Sequence, residues 1–301
     1  MLKRRLISFD WALKRLLRSK TNFEVLEGFL SELLKEEIQI QEVLESESNK
    51  EDRSDKFNRV DLKVKNEQGE ILIIEVQYER EFDYLQRILF GTSKVITEHM
   101  EEADPYHKVV KVISINILYF DLGHGEDYVY HGTTQFKGLH QNDELRLTDQ
   151  QKEFFNKNAI ADIYPEYYLL KINQFDDKSK DPLDEWIYFL KNGEIKDEFK
   201  AKGLKKARKI LDVLQLSEGE RLAYDSHIED LRYQASMYHS SFVVGKKEGF
   251  VDGELKGEKK GMKGKSIEIA INLLDILDDQ TIALKTGLSV EEVAALRNKE
   301  S

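Results

Sequence analysis

Residues 59–78 read RVDLKVKNEQGEILIIEVQY, two apolar-rich runs joined across Asn66-Glu67-Gln68-Gly69-Glu70. A glycine in so short a connection supplies the positive φ that a tight reversal needs, so the stretch predicts a β-hairpin. A hairpin symmetric about Gln68 sets Asp61 on one strand opposite Glu75 on the next. Directly opposed residues on antiparallel strands share a face, with Cβ atoms roughly 5 Å apart. Two carboxylates so placed repel each other unless a cation lies between them. Two hard oxygen ligands with open positions suit Mg²⁺. Strand alternation brings Gln77 to the same face and sends Leu62, Val64, Leu72, Ile74 and Val76 to the other. Ile71 and Ile73 share the acids' face, so it is wet only toward the strand's end. Lys63 also lies on that face and offers a plain ion-pair partner. From spacing alone, a solvated acid pair and a metal site both fit.

On the N-terminal side, residues 22–37 place Phe23, Leu26, Phe29, Leu30, Leu33 and Leu34 at helical spacing. Ile38–Leu44 alternates like a half-buried strand, and the polar stretch Glu45–Asn58 reads as a loop. On the C-terminal side, residues 83–101 predict an amphipathic helix with Leu85, Ile88, Leu89, Val95 and Ile96 inward. VVKVISINILYF (109–120) suits a central strand. Further strands fit at 128–136 and 166–172, and beyond Pro182 the chain reads as almost wholly helical. Helix, three strands, helix, strand is an α/β core with a mixed sheet. The expected divisions are a domain over 1–180, a helical region over 181–244, a Gly/Lys/Glu-rich segment over 245–265 and a helical hairpin over 266–301.

Composition narrows the chemistry. The 301 residues include no cysteine, which excludes disulfides and thiolate zinc sites. The seven histidines show no paired short spacing, leaving oxygen-ligated metals. The basic, polar N-terminus is no signal peptide, and no run is long and apolar enough to span a bilayer, so the expectation is a soluble cytoplasmic protein. The net charge of −11 argues against a passive nucleic-acid coat but not against local docking of a phosphate backbone. Basic residues cluster at 1–20 (Lys3, Arg4, Arg5, Lys14, Arg15, Arg18 and Lys20) and at 196–209.

Together, FDWALKRLL (9–17), VLEGFLSELL (25–34), VDLKVKN (60–66), IEVQ (74–77), Arg87 and KVISINILYF (111–120) resemble a known pattern. They are similar to the PD-(D/E)XK nuclease superfamily and, more narrowly, to the PD-(D/E)XK nuclease family transposases, recombination-promoting nucleases of bacteria. The resemblance covers most of the chain. It implies a restriction-endonuclease-like αβββαβ core and metal-dependent hydrolysis of DNA phosphodiester bonds, with Mg²⁺ as cofactor and Mn²⁺ as a substitute. Asp61 and Glu75 would hold the metal, with the Val76 backbone carbonyl as a further ligand. Gln77 stands where the superfamily has a lysine. An amide orients a water but carries no charge and accepts no proton, so slow or tightly regulated cleavage is expected. Arg87 and Lys63 are the candidate replacement cations. Asp10 is an auxiliary candidate that an i,i+4 pair with Lys14 also explains.

Gly245, Gly249, Gly253, Gly257 and Gly261 recur every four residues. They give either a helix with a glycine ridge open to close approach or a flexible linker. In DQTIALKTGLSVEEVAALRN (279–298), Ala283, Gly287 and Val293 have helix-turn-helix spacing, with Ser289 and Glu292 as a capping box. Val290-Glu291-Glu292 at the second helix's start would repel phosphate, which favours protein contacts over DNA reading. Three readings stand: an active endonuclease on DNA, a nuclease-fold module that binds DNA or a partner without cutting, and a homo-oligomer built by the C-terminal helices.

Overall fold

In a computed structural model, which describes residues 6–15, 20–44 and 61–300, the chain reverses at Asn66–Glu70 as the composition there dictates. Gly69 takes a φ of 78°. The Gly69 N–H donates to the Asn66 carbonyl at 3.0 Å, and the Asn66 side-chain oxygen accepts from the Glu70 N–H at 2.8 Å. The ladder runs from Lys65 opposite Ile71 to Leu62 opposite Ile74, every pair symmetric about Gln68. The predicted register therefore holds. The Glu45–Asn58 loop and much of the N-terminal basic cluster lie outside the described residues, as does the side chain of Lys14.

The chain divides into two units, Met1–Asp230 and Leu231–Ser301. In the first, α1 (Phe9–Arg15) and α2 (Phe23–Leu34) precede β1 (Ile40–Leu44), β2 (Leu62–Asn66) and β3 (Ile71–Gln77). Then come α3 (Tyr84–Glu98), β4 (Val112–Leu118), β5 (Val129–Gly132), α4 (Asp149–Phe155), β6 (Glu166–Lys171), α5 (Pro182–Asn192) and α6 (Leu204–Ile210). The sheet order is β1-β2-β3-β4-β6-β5. β3, β4 and β6 are parallel; the other neighbours are antiparallel. This is the mixed sheet with flanking helices that the element order called for.

Every residue of β4 is buried, as suits a central parallel strand covered on both faces. On one face Leu62, Val64, Leu72, Ile74 and Val76 join the main core with α1, α2 and α5. There Phe9, Phe29, Trp186 and Phe189 meet at ring-centroid distances of 5.5 to 6.3 Å, a geometry aromatic quadrupoles favour. On the other face Ile71 and Ile73 pack with Val95 and Val112, and Tyr84 and Ile88 pack with Leu118 and Phe120. The apolar and acid-bearing faces of the hairpin are those expected.

One expectation fails. Leu85 and Leu89 of α3 are 52% and 58% exposed, whereas Tyr84, Ile88, Thr92 and Val95 are buried. The helix is rotated by about one residue from the face that counting leucines selects. The buried Tyr84 hydroxyl, which donates to Asn116 of β4 at 3.0 Å, accounts for the rotation.

α7 (Glu218–Leu273) begins in the first unit and continues through the second as one helix, so the glycine-rich segment is helical. The second unit adds α8 (Asp279–Thr286) and α9 (Val290–Glu300) around Ala270, Ile282 and Val293. Gly287 ends α8 at φ 73°. The Ser289 hydroxyl accepts from the Glu292 N–H at 3.1 Å while Glu292 accepts from the Ser289 N–H at 3.0 Å, completing the capping box. No helix among the described residues is long and apolar enough to cross a membrane.

Candidate active site

The hairpin's open end is built from the residues that the chain places just past the β2–β3 ladder. Asp61 immediately precedes β2, and its Oδ2 accepts a hydrogen bond from the Val76 N–H at 2.7 Å. Backbone amides of β3 alternate in direction, so this bond occupies the slot that the next ladder residue would fill. The side chain is thereby held beside β3. Glu75 lies nearly buried, with 13% of its side chain exposed. Its Oε2 lies 3.2 Å from the Tyr84 hydroxyl, whose single proton is shared with Asn116, and its Oε1 stands 3.6 Å from the Arg87 guanidinium.

Burial pushes the Glu75 carboxyl above the ordinary carboxylate range, and the negative charges of Asp61 and Glu81 add to that. Arg87 and the Tyr84 hydroxyl oppose the shift without cancelling it. Arg87 itself is held above its ordinary value: burial works against its charge, but Glu75 and Glu81 outweigh the burial. Three carboxyl groups, Asp61, Glu75 and Glu81, are thus gathered around one guanidinium, that of Arg87. That is the electrostatic condition of a cation site.

Gln77 shares the Glu75 face. Its amide nitrogen donates to Glu81 Oε1 at 2.8 Å, and the same oxygen accepts from Arg87 at 2.5 Å. A carboxylate only accepts, so the Gln77 nitrogen faces Glu81 and its carbonyl oxygen is what remains for other groups. A cavity of about 20 Å³ adjoins Glu75, Arg87, Thr92 and Ser114, room for one water molecule.

The structure thus brings Asp61, Glu75, Gln77 and Arg87 to one place. Lys63, nearly buried, turns away to Glu98 at 3.3 Å. Asp10 lies on the other side of β3. It is buried, and its carboxylate accepts from the Tyr78 hydroxyl at 3.1 Å and from His227 at 2.7 Å. Neither Lys63 nor Asp10 joins the pocket. Three residues that do belong to it were not singled out in the sequence: Glu81, Tyr84 and Asn116. The third had a signal, because a polar residue in the middle of VISINIL demands a partner in a dry strand. Asn116 donates to Ser114 Oγ and to the Tyr168 carbonyl, which turns its own oxygen to Tyr84.

Comparison with known families is decisive at this point. The model for "PD-(D/E)XK nuclease family transposase" matches residues 7–241. The chain belongs to that family. No curated protein and no solved structure matches it. Membership gives the chain a nuclease- or transposase-related role and makes DNA the substrate class and a divalent metal the expected cofactor. The residues present fit such a metal. Among the described residues no three His, Cys, Asp or Glu side chains gather in ligating positions, which leaves two carboxylates. Mg²⁺ is commonly held by one or two carboxylates and keeps its remaining waters for substrate.

Of the seven Lys and Arg residues at 196–209, Lys202, Lys206 and Arg208 are paired with Glu37, Glu24 and Asp197. Three of the seven positive charges are therefore offset by an acid.

Proposed function

We propose that this PD-(D/E)XK protein is a divalent-metal-dependent DNA endonuclease, acting in the cytoplasm on DNA in recombination or on mobile elements, with Asp61, Glu75 and Gln77 as its active-site signature. The observation that carries the reading is the pairing of a buried, under-neutralised Glu75 with an Asp61 fixed by a β3 amide. Keeping two acids so close costs stability, which a bound cation would offset.

Asp61 and Glu75 would hold Mg²⁺, or Mn²⁺ in its place. In an extended strand a residue's N–H and C=O point to the same edge. Because the Val76 N–H meets Asp61, the Val76 carbonyl points to the same edge, past the end of the β2 ladder, and serves as a third ligand. When bound, the metal polarises the phosphate and lowers the pKa of an attacking water. The remaining work falls to side chains. Gln77, its nitrogen engaged by Glu81, uses its carbonyl oxygen to accept a hydrogen bond from the water and orient it. It removes no proton, so turnover is slow compared with lysine-bearing relatives. Arg87, steered by Glu81, supplies the positive charge that Gln77 lacks and faces the charge that develops on the phosphate. The C-terminal helices join copies of the chain into a homo-oligomer.

A second reading, a nuclease fold that docks DNA or a protein partner without cutting, is favoured by Gln77 in the lysine position. Supercoiled plasmid incubated with the protein and Mg²⁺ or Mn²⁺ separates the two. Cutting that EDTA, Asp61→Ala and Glu75→Ala each reduce by at least about 100-fold, as expected for loss of a group acting on the reacting centre, supports the endonuclease. No cutting with either metal, together with a gel shift that the substitutions leave unchanged, would replace it with the non-cutting reading.

A further inference from the structure

From position 232 to position 265, every residue of α7 is solvent-exposed. A helix with no packed face in its own chain normally shows a polar surface all round. This one does not. Met237, Val244, Val251, Leu255, Met262 and Ile269 are between 42% and 66% exposed. At about 100° per residue, all six fall within roughly 40° of one another around the helix, along about 48 Å of its length at 1.5 Å per residue. Tyr233, 68% exposed, extends the line by one turn. These seven residues form a continuous seam as wide as a two-helix contact needs; Tyr238, Phe242, Val243 and Phe250 are exposed as well and lie off it around the helix.

We propose that this seam pairs with the same seam of a second copy of the chain, in parallel and in register. The spacing argues for the copy. Tyr233, Val244 and Leu255 recur every eleven residues, and Val251 and Met262 repeat the same interval. An eleven-residue repeat keeps a seam nearly straight on an α-helix and gives a shallow right-handed supercoil. A parallel, in-register copy meets each apolar side chain with its own counterpart. The flanks argue for the direction. In a parallel pair an edge residue faces the opposite edge of the other helix about five positions on. Lys247 then meets Asp252, Glu254 meets Lys259, and Glu258 meets Lys263, each time with opposite charge. Within one chain Asp252 bridges Lys256 and Lys263 bridges Glu292. These exposed pairs exchange partners at little cost. The glycines lie largely on the opposite side of the helix and have open space around their missing Cβ atoms, so the seam and the ridge are separate surfaces.

This proposal gives the assembly part of the reading above a surface and a direction, and it stands whether or not the protein cuts DNA. The chain has no cysteine, so an introduced thiol is unique. Met237→Cys and Met262→Cys, each made alone in the full-length protein and oxidised mildly, are expected to convert more than half of the protein to disulfide-linked dimers. Light scattering should give at least a dimer for the wild type and a monomer for Val244→Lys/Val251→Lys/Leu255→Lys, whose helical circular dichroism shows whether it folds. A monomeric wild type overturns the proposal. So does an oligomer in which neither thiol cross-links, because an antiparallel pair centred on Val251 sets each of these positions against a remote residue. A tetramer whose thiols still cross-link supports it, with the glycine ridge left for the second contact.

Discussion

Glu75 shows what the proposed metal site would cost the fold. Its carboxyl is held above the ordinary range, first by burial, so ionising it in the folded, metal-free protein is unfavourable. A carboxyl with a raised folded-state pKa gives relative stability that is complete below its unfolded value and is lost as pH rises through the folded value. Glu75→Gln keeps the shape and removes the charge. In EDTA at pH 7–8 the variant is expected to be more stable than wild type by on the order of 1 kcal/mol, a gain that shrinks to nothing as pH falls below about 4.5. Mg²⁺ should raise the wild-type Tm and leave the variant's unchanged, since only a site that binds the ion is stabilised by it. Thermal melts across pH, with and without Mg²⁺, decide this. A variant less stable than wild type at pH 8 would mean that Arg87 compensates Glu75 fully and that no cation is needed.

At the level of elements, glycines in two helices make opposite predictions. A Cβ on Gly28 of α2 would lie 2.4 Å from the Lys202 carbonyl oxygen and 2.7 Å from the Gly203 Cα, backbone that has no rotamer to move. Gly28→Ala should cost about 3 kcal/mol and lower Tm by roughly 5–10 °C. Gly253 of α7 has nothing within 4 Å of its missing Cβ, so Gly253→Ala should stabilise the helix locally by about 0.5–1 kcal/mol and slow amide exchange around it. A Gly253→Ala protein that instead loses its assembly would show that another backbone uses the ridge. The contrast also shows where the sequence was legible. The β2–β3 register followed from Gly69 and strand alternation, because both are local. The rotation of α3 did not. Leu85 and Leu89 are as apolar as Ile88, and the choice between faces fell to a Tyr84–Asn116 hydrogen bond across elements. Glu81 was hidden for the same reason: its two partners, Gln77 and Arg87, come from a strand and a helix.

For the whole molecule, the proposed site would break one strand, so a double-strand break would need two events. Two copies joined along α7 enter a parallel pair at the same end and hold their nuclease units at an effective concentration in the millimolar range, set by the tether rather than by the solution. If the proposed pairing serves cutting, the second strand is cut before the first complex dissociates. Wild type at nanomolar concentration should then convert supercoiled plasmid to linear product with little nicked intermediate. Val244→Lys/Val251→Lys/Leu255→Lys leaves the hairpin acids intact and should still nick, but nicked circles should accumulate about 10-fold over linear product until the protein concentration is raised far enough to pair sites by collision. Time courses over a 100-fold concentration range measure this ratio directly. If both proteins give the same ratio at every concentration, the seam assembles the chain for some purpose other than cutting two strands. The charge pattern that selects a parallel over an antiparallel pair would then need a separate reason.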